Sequence, residues 1–114
     1  MPPREWRLYI EDILESISRI QRYTGGMVFN DFRVSDITVD AVVRNFIIIG
    51  EASRQVPVEL EKRYPEIPWE RMRGLRNVVV HQYFGMDLGI IWETALQDLP
   101  LLVPLLQKTL KESL

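Results

Sequence analysis

The apolar side chains of residues 4–24 constrain this chain more than any other feature. Trp6, Tyr9, Ile10, Ile13, Leu14, Ile17, Ile20 and Tyr23 recur at spacings of three and four, the repeat of one face of an α-helix. Gly25-Gly26 closes the run. Such a helix must lay its apolar stripe on a partner, and the rest of the chain offers helices to receive it. Ser35 and Asp36 are N-cap candidates for a second helix reaching about Gln55, with Val39, Val42, Val43, Phe46, Ile47 and Ile49 as apolar positions. Its β-branched run from Val42 to Ile49 has strand character. Length favours helix, because roughly 18 residues pass with one Gly as the only turn signal, and no second strand is available for pairing.

The remaining segments follow the same reading. Met27 to Arg33 reads as a short irregular connection. Pro57, Pro65 and Pro68 punctuate a linker with one helical turn, Val58 to Arg63. A third main helix opens near Trp69, just after Pro68, and runs to about His81 or Tyr83. Phe84-Gly85-Met86 breaks it, and Asp87 caps a fourth helix from Leu88 to Gln97. Leu101 to Leu114 reads as helical again after Pro100, with Pro104 near its start. The expectation is a single all-α domain over 1–114, an up-and-down bundle of four to five helices. The apolar helix faces are broad for so small a bundle, which predicts burial of the excess against a second copy.

Composition excludes several kinds of chemistry. There is no cysteine, hence no disulfide framework, zinc ribbon or thiol nucleophile. A single histidine, His81, cannot form a His-pair metal site within one chain. A formal charge of −2 excludes coating of nucleic acid by bulk charge, so any such contact must use a local cluster. Eleven of the 14 basic residues are Arg, the bidentate binder of phosphate and carboxylate. The N-terminus lacks the apolar core of a signal peptide. The longest apolar stretch, Leu99 to Leu106, is interrupted by Pro100 and Pro104, so no membrane association is expected and the cytoplasm is the expected location.

Chemistry concentrates between Trp69 and Asp87. At 100° per residue, Glu70, Arg73, Asn77 and His81 fall within an arc of roughly 80°, while Trp69, Met72, Leu75 and Val79 gather on another face. Arg76 lies about 60° from Arg73, toward the packing side. It joins His81 at one site only if that side faces a cleft or a second subunit. His81 is the side chain here that exchanges a proton near neutrality. Arg76 can hold a phosphate oxygen and stabilise charge developing on it. Asn77 can orient the imidazole or hydrogen-bond a substrate. This set suits attack of a ribose 2′-hydroxyl on the adjacent phosphate, which needs a base, an acid and a cation but no metal. Two chains with facing stripes would supply the two imidazoles. The bland reading of the same residues is a histidine compensating a helix C-terminus and a solvated charged face.

Arg76-Asn-Val-Val-Val-His81-Gln-Tyr83 resembles the Arg-x4-His-x-Tyr signature of the HEPN superfamily, specifically its HepT-like toxins. Ile49-Gly50-Glu51-Ala52, Ile67-Pro68-Trp69, Arg73-Gly74-Leu75-Arg76-Asn77 and Tyr83-Phe84-Gly85-Met86-Asp87 extend the likeness over nearly the whole chain. The resemblance implies an all-α HEPN bundle that forms a homodimer with the motif helices lining a shared cleft. It implies a metal-independent endoribonuclease toxin with Arg76 and His81 in catalytic positions and Asn77 as the polar residue beside the Arg. It also implies an antitoxin partner, an MntA-like minimal nucleotidyltransferase that neutralises the toxin by transferring AMP onto Tyr83. No cofactor is implied. Arg73 is the candidate for an auxiliary RNA contact. Glu51 either faces the same cleft or makes a buried ion pair with an Arg. The alternative function is a non-catalytic nucleotide- or RNA-binding partner subunit of a nucleotidyltransferase, in which His81 is dispensable.

Overall fold

The first helix, α1 (Trp6–Thr24), buries Ile10, Ile13, Ile17 and Ile20 completely. These are the stripe positions of the sequence, and burying each contributes roughly 1.5–3 kcal/mol. In this computed structural model, which describes residues 5–82 and 87–112 but not the side chains of 80–82, α1 ends where Gly26 takes a φ of 79°. A side chain there would be strained. The stripe packs along α3 (Asp36–Arg54), whose Val39, Val42, Val43, Phe46 and Ile49 face it. The Ser35 hydroxyl caps α3 by accepting from the Thr38 amide at 3.3 Å. The β-branched run of α3 is helical throughout: tertiary burial outweighs its weak local propensity.

The segment expected to be irregular instead contains a short helix, α2 (Phe29–Arg33). The Asp31 carboxylate accepts the Val28 amide at 3.0 Å, and Phe32 is fully buried. The Phe32 ring lies 5.1 Å from that of Trp92. Five residues are too few to show a helical period, so packing of one aromatic ring decides this element.

Three short helices follow: α4 (Val58–Arg63), α5 (Trp69–Arg73) and α6 (Leu75–Gln82). The third predicted helix is thus divided at Gly74. The break is slight, because Gly74 keeps right-handed helical angles (φ −70°, ψ −13°).

The C-terminal region differs more from expectation. Helix α7 (Leu88–Glu93), a wide π-type turn over Thr94–Asp98 and α8 (Leu99–Glu112) form one continuous helical rod. Asp87 caps it by accepting from the Gly89 and Ile90 amides at 3.0 and 3.2 Å. Pro100 lacks the amide hydrogen that a regular turn would donate. The wider turn ends just before it, and neither Pro100 nor Pro104, which lies inside α8, ends the rod. By length and composition Leu88–Glu112 would suffice to cross a membrane. Its Ile91, Ala95, Leu99, Leu102 and Leu106 are nevertheless buried in the protein core. Arg7 Nη2 donates to the Leu110 carbonyl at 3.1 Å and ties the start of α1 to the end of α8. The architecture is all-α, with no strand among the described residues.

Candidate active site

The motif segment is seated from its N-terminal side. The Trp69 indole donates to the Tyr64 carbonyl at 3.0 Å in buried surroundings, and the Met72 amide donates to the Pro68 carbonyl at 3.0 Å. With that start fixed, Trp69, Met72, Leu75 and Val79 turn inward and are buried. Glu70, Arg76 and Asn77 are left exposed and Arg73 half-buried. The division into a packing face and a polar face is the one drawn from 100° periodicity.

Helix α3 crosses behind this segment at very short range, and Gly50 is the crossing point. A Cβ at residue 50 would lie 3.0 Å from the Arg76 amide nitrogen, 3.1 Å from Arg76 Cβ and 3.3 Å from the Arg73 carbonyl oxygen. The next residue, Glu51, places Oε1 2.9 Å from Arg76 Nε, with the two side chains about half exposed (46% for Arg76, 48% for Glu51). An ion pair so open to water contributes little to stability, about 0–1 kcal/mol. A second ion pair, better buried, joins Arg73 Nη1 to Glu61 Oε1 on α4. A looser one joins Arg71 to Asp98 of the π-type turn at 3.6 Å.

Two concavities flank α6. On one side Arg54, Glu70, Arg73, Gly74 and Asn77 line a polar hollow of about 700 Å³. On the other, Pro68, Met72, Leu75, Val78, Ile90 and Leu102 are among the walls of an apolar cleft of about 430 Å³. Val78, Ile90 and Leu101 at this cleft are exposed. On the helical wheel, position 81 falls between Asn77 and Val78, about 40° from the first and 60° from the second.

Arg76 and Asn77 are therefore exposed neighbours on α6, and Glu51 meets Arg76. Arg73 shares the polar hollow with Asn77 but has its own carboxylate partner. His81 belongs to the last turn of α6, and its side chain lies outside the described residues, as does all of Tyr83. Sequence reasoning passed over Arg54, which stands one turn after Glu51 on α3 and has no ion-pair partner among the described residues. That i, i+3 spacing was the available signal. Among the described residues no group of three or more His, Asp or Glu side chains is placed to hold a metal. The terminal nitrogens of Arg76 make no bond among the described residues, so they can take an incoming phosphate oxygen.

Comparison with known proteins agrees with the sequence resemblance. A family model described as "Ribonuclease HepT-like" matches residues 13–109. The chain is 40% identical over 97 residues to the "Probable ribonuclease HepT" of Thermococcus cleftensis, covering 85% of this chain and 88% of that protein. It is 35% identical over 112 residues to "Putative RNase MJ1216" of Methanocaldococcus jannaschii, covering 98% and 93% respectively. It is also 38% identical over 109 residues to "Gamma-glutamylcyclotransferase and putative RNase MJ0434" of the same archaeon. That last match takes in 96% of this chain but about half (49%) of the longer protein. No solved structure matches the chain.

Proposed function

This chain belongs to the HepT-like ribonuclease family, and we propose that it acts as a metal-independent endoribonuclease toxin, assembled as a homodimer in the cytoplasm. The observation that carries the reading is Arg76: a half-exposed guanidinium, paired with Glu51 and set on the same short helix as the single imidazole of the chain. In the proposed reaction one His81 takes the proton of a ribose 2′-hydroxyl. The 2′-oxygen forms a bond to the adjacent phosphorus, and the bond from phosphorus to the 5′-oxygen breaks. The His81 of the second copy gives that leaving oxygen its proton. The products are a 2′,3′-cyclic phosphate and a free 5′-hydroxyl. Arg76 balances the extra negative charge on the phosphorane oxygens, and Asn77 orients the imidazole or the ribose.

The apolar cleft beside α6 supports the second copy. Its exposed Val78, Ile90 and Leu101 form a patch that a monomer leaves in water. An MntA-like nucleotidyltransferase is the proposed antitoxin, silencing the enzyme by placing AMP on Tyr83. The added phosphate charge and bulk at the cleft mouth would repel and block RNA.

The test is incubation of the purified protein with RNA in excess EDTA. Cleavage that persists in EDTA and disappears in His81→Ala supports the proposal. Intact RNA in the presence of a folded dimer refutes it and favours the non-catalytic partner subunit.

A further inference from the structure

We propose that Glu51 is the positioning residue for Arg76, acting on the guanidinium rather than on RNA, and that Gly50 lets it do so. This rests on the ribonuclease reading above. Three observations converge. The closest approach between the two groups is at Nε, the stem side of the guanidinium, at 2.9 Å. The four N–H groups on the terminal nitrogens make no hydrogen bond among the described residues. A phosphate needs just such a free, planar fork. The pair is half exposed on both sides, so a substrate can reach Arg76 without displacing Glu51, and water weakens the attraction enough that the carboxylate does not neutralise the site. Finally, the helices meet so closely at Gly50 that a methyl group there would press on the Arg76 backbone itself. Glu51 therefore acts across a short, stiff junction, where a mobile side chain on a wider one would hold its partner loosely.

A side chain of Arg normally samples many rotamers. Restricting those of Arg76 before RNA arrives places the guanidinium where the phosphorane charge will form and lowers the reorganisation needed during the reaction. The role is distinct from competition. A carboxylate that merely occupied Arg76 would have to leave before RNA bound, and its removal would strengthen binding.

The test compares wild type with Glu51→Ala, Glu51→Gln and Arg76→Ala on a short oligoribonucleotide, well below the melting temperature of each. Glu51→Ala is expected to lower kcat roughly 10- to 100-fold, the scale of misplacing a reacting group by about 1 Å, with KM changed little. Glu51→Gln, which keeps an oxygen in place, is expected to fall between Ala and wild type. A further readout needs no RNA: the Arg76 Nε–H resonance is expected to shift when the neighbouring carboxylate is removed in Glu51→Ala, and less so in Glu51→Gln. A lower KM with undiminished kcat in Glu51→Ala would show competition and overturn the proposal. So would full activity, or an unmoved Arg76 resonance. If the wild type itself leaves RNA intact, the ribonuclease reading falls first and carries this inference with it. An active wild type with an equally active Glu51→Ala overturns this inference alone.

Discussion

Replacing Gly50 by Ala sets two opposed effects of similar size against each other, and the geometry decides which wins. Residue 50 lies inside α3, where Ala is favoured over Gly by about 1 kcal/mol through backbone entropy. Against this, the new methyl carbon would sit 3.0 Å from the Arg76 amide nitrogen, 3.1 Å from its Cβ and 3.3 Å from the Arg73 carbonyl oxygen. All three atoms belong to or adjoin the backbone of α5 and α6, so no flexible side-chain tip can swing aside. The helices must separate by a few tenths of an ångström, and overpacking of this kind costs about 1–3 kcal/mol. The expected net change is a loss of about 1 kcal/mol, a fall in Tm of roughly 4 °C for a chain of this size. Urea unfolding followed by circular dichroism, at one fixed protein concentration because self-association would add to apparent stability, measures it. RNA cleavage at a temperature where the variant is fully folded should fall further than the stability change alone accounts for, because Arg76 moves with α6. A variant more stable than wild type by about 1 kcal/mol, the propensity gain with no opposing cost, would refute the close crossing and the argument built on it.

Three further outcomes follow from the packing. Tyr64→Phe should be neutral or stabilising by up to about 1 kcal/mol, since the Tyr64 hydroxyl is buried without a partner; a clear loss of Tm would show that the hydroxyl is bonded in solution. Asp87→Ala removes the acceptor for the Gly89 and Ile90 amides and should cost about 1 kcal/mol in denaturant unfolding, with Asp87→Asn or Asp87→Ser recovering most of it. Leu101→Asp puts a charge on the exposed lip of the apolar cleft. It should leave the fold of one protomer intact, because Leu101 is already 69% exposed, but shift the proposed dimer toward monomer in sedimentation and reduce RNA cleavage in parallel; undiminished self-association would place the proposed interface elsewhere.

The helices that were legible in the sequence are those whose signals are local. α1 and α3 begin and end within a residue or two of their expected bounds because an apolar stripe, an N-cap such as Ser35 and a terminating Gly all act within one or two turns. The inward set Trp69, Met72, Leu75 and Val79 follows from the same periodicity. α2 was not legible: its five residues are shorter than the period needs, and it exists because Phe32 fills a space bounded by Trp92. The continuity of Leu88–Glu112 was hidden as well, because proline normally marks a stop, yet the helix runs through a wide turn at Thr94–Asp98 and past both Pro100 and Pro104.

The polar residues divide in the same way. The order Arg76, Asn77, His81 along one helix, and the chemistry those side chains can perform, were decided by the sequence, since a helix turns each position into a direction. Which carboxylate each arginine meets was decided by the tertiary structure. Glu51 reaches Arg76 and Glu61 reaches Arg73 from other helices. The first meeting depends on where α3 crosses the motif segment, and that crossing depends on side-chain volume at Gly50. Local propensity carries no information about the distance between two helices; close packing sets that distance, and with it the orientation of the guanidinium.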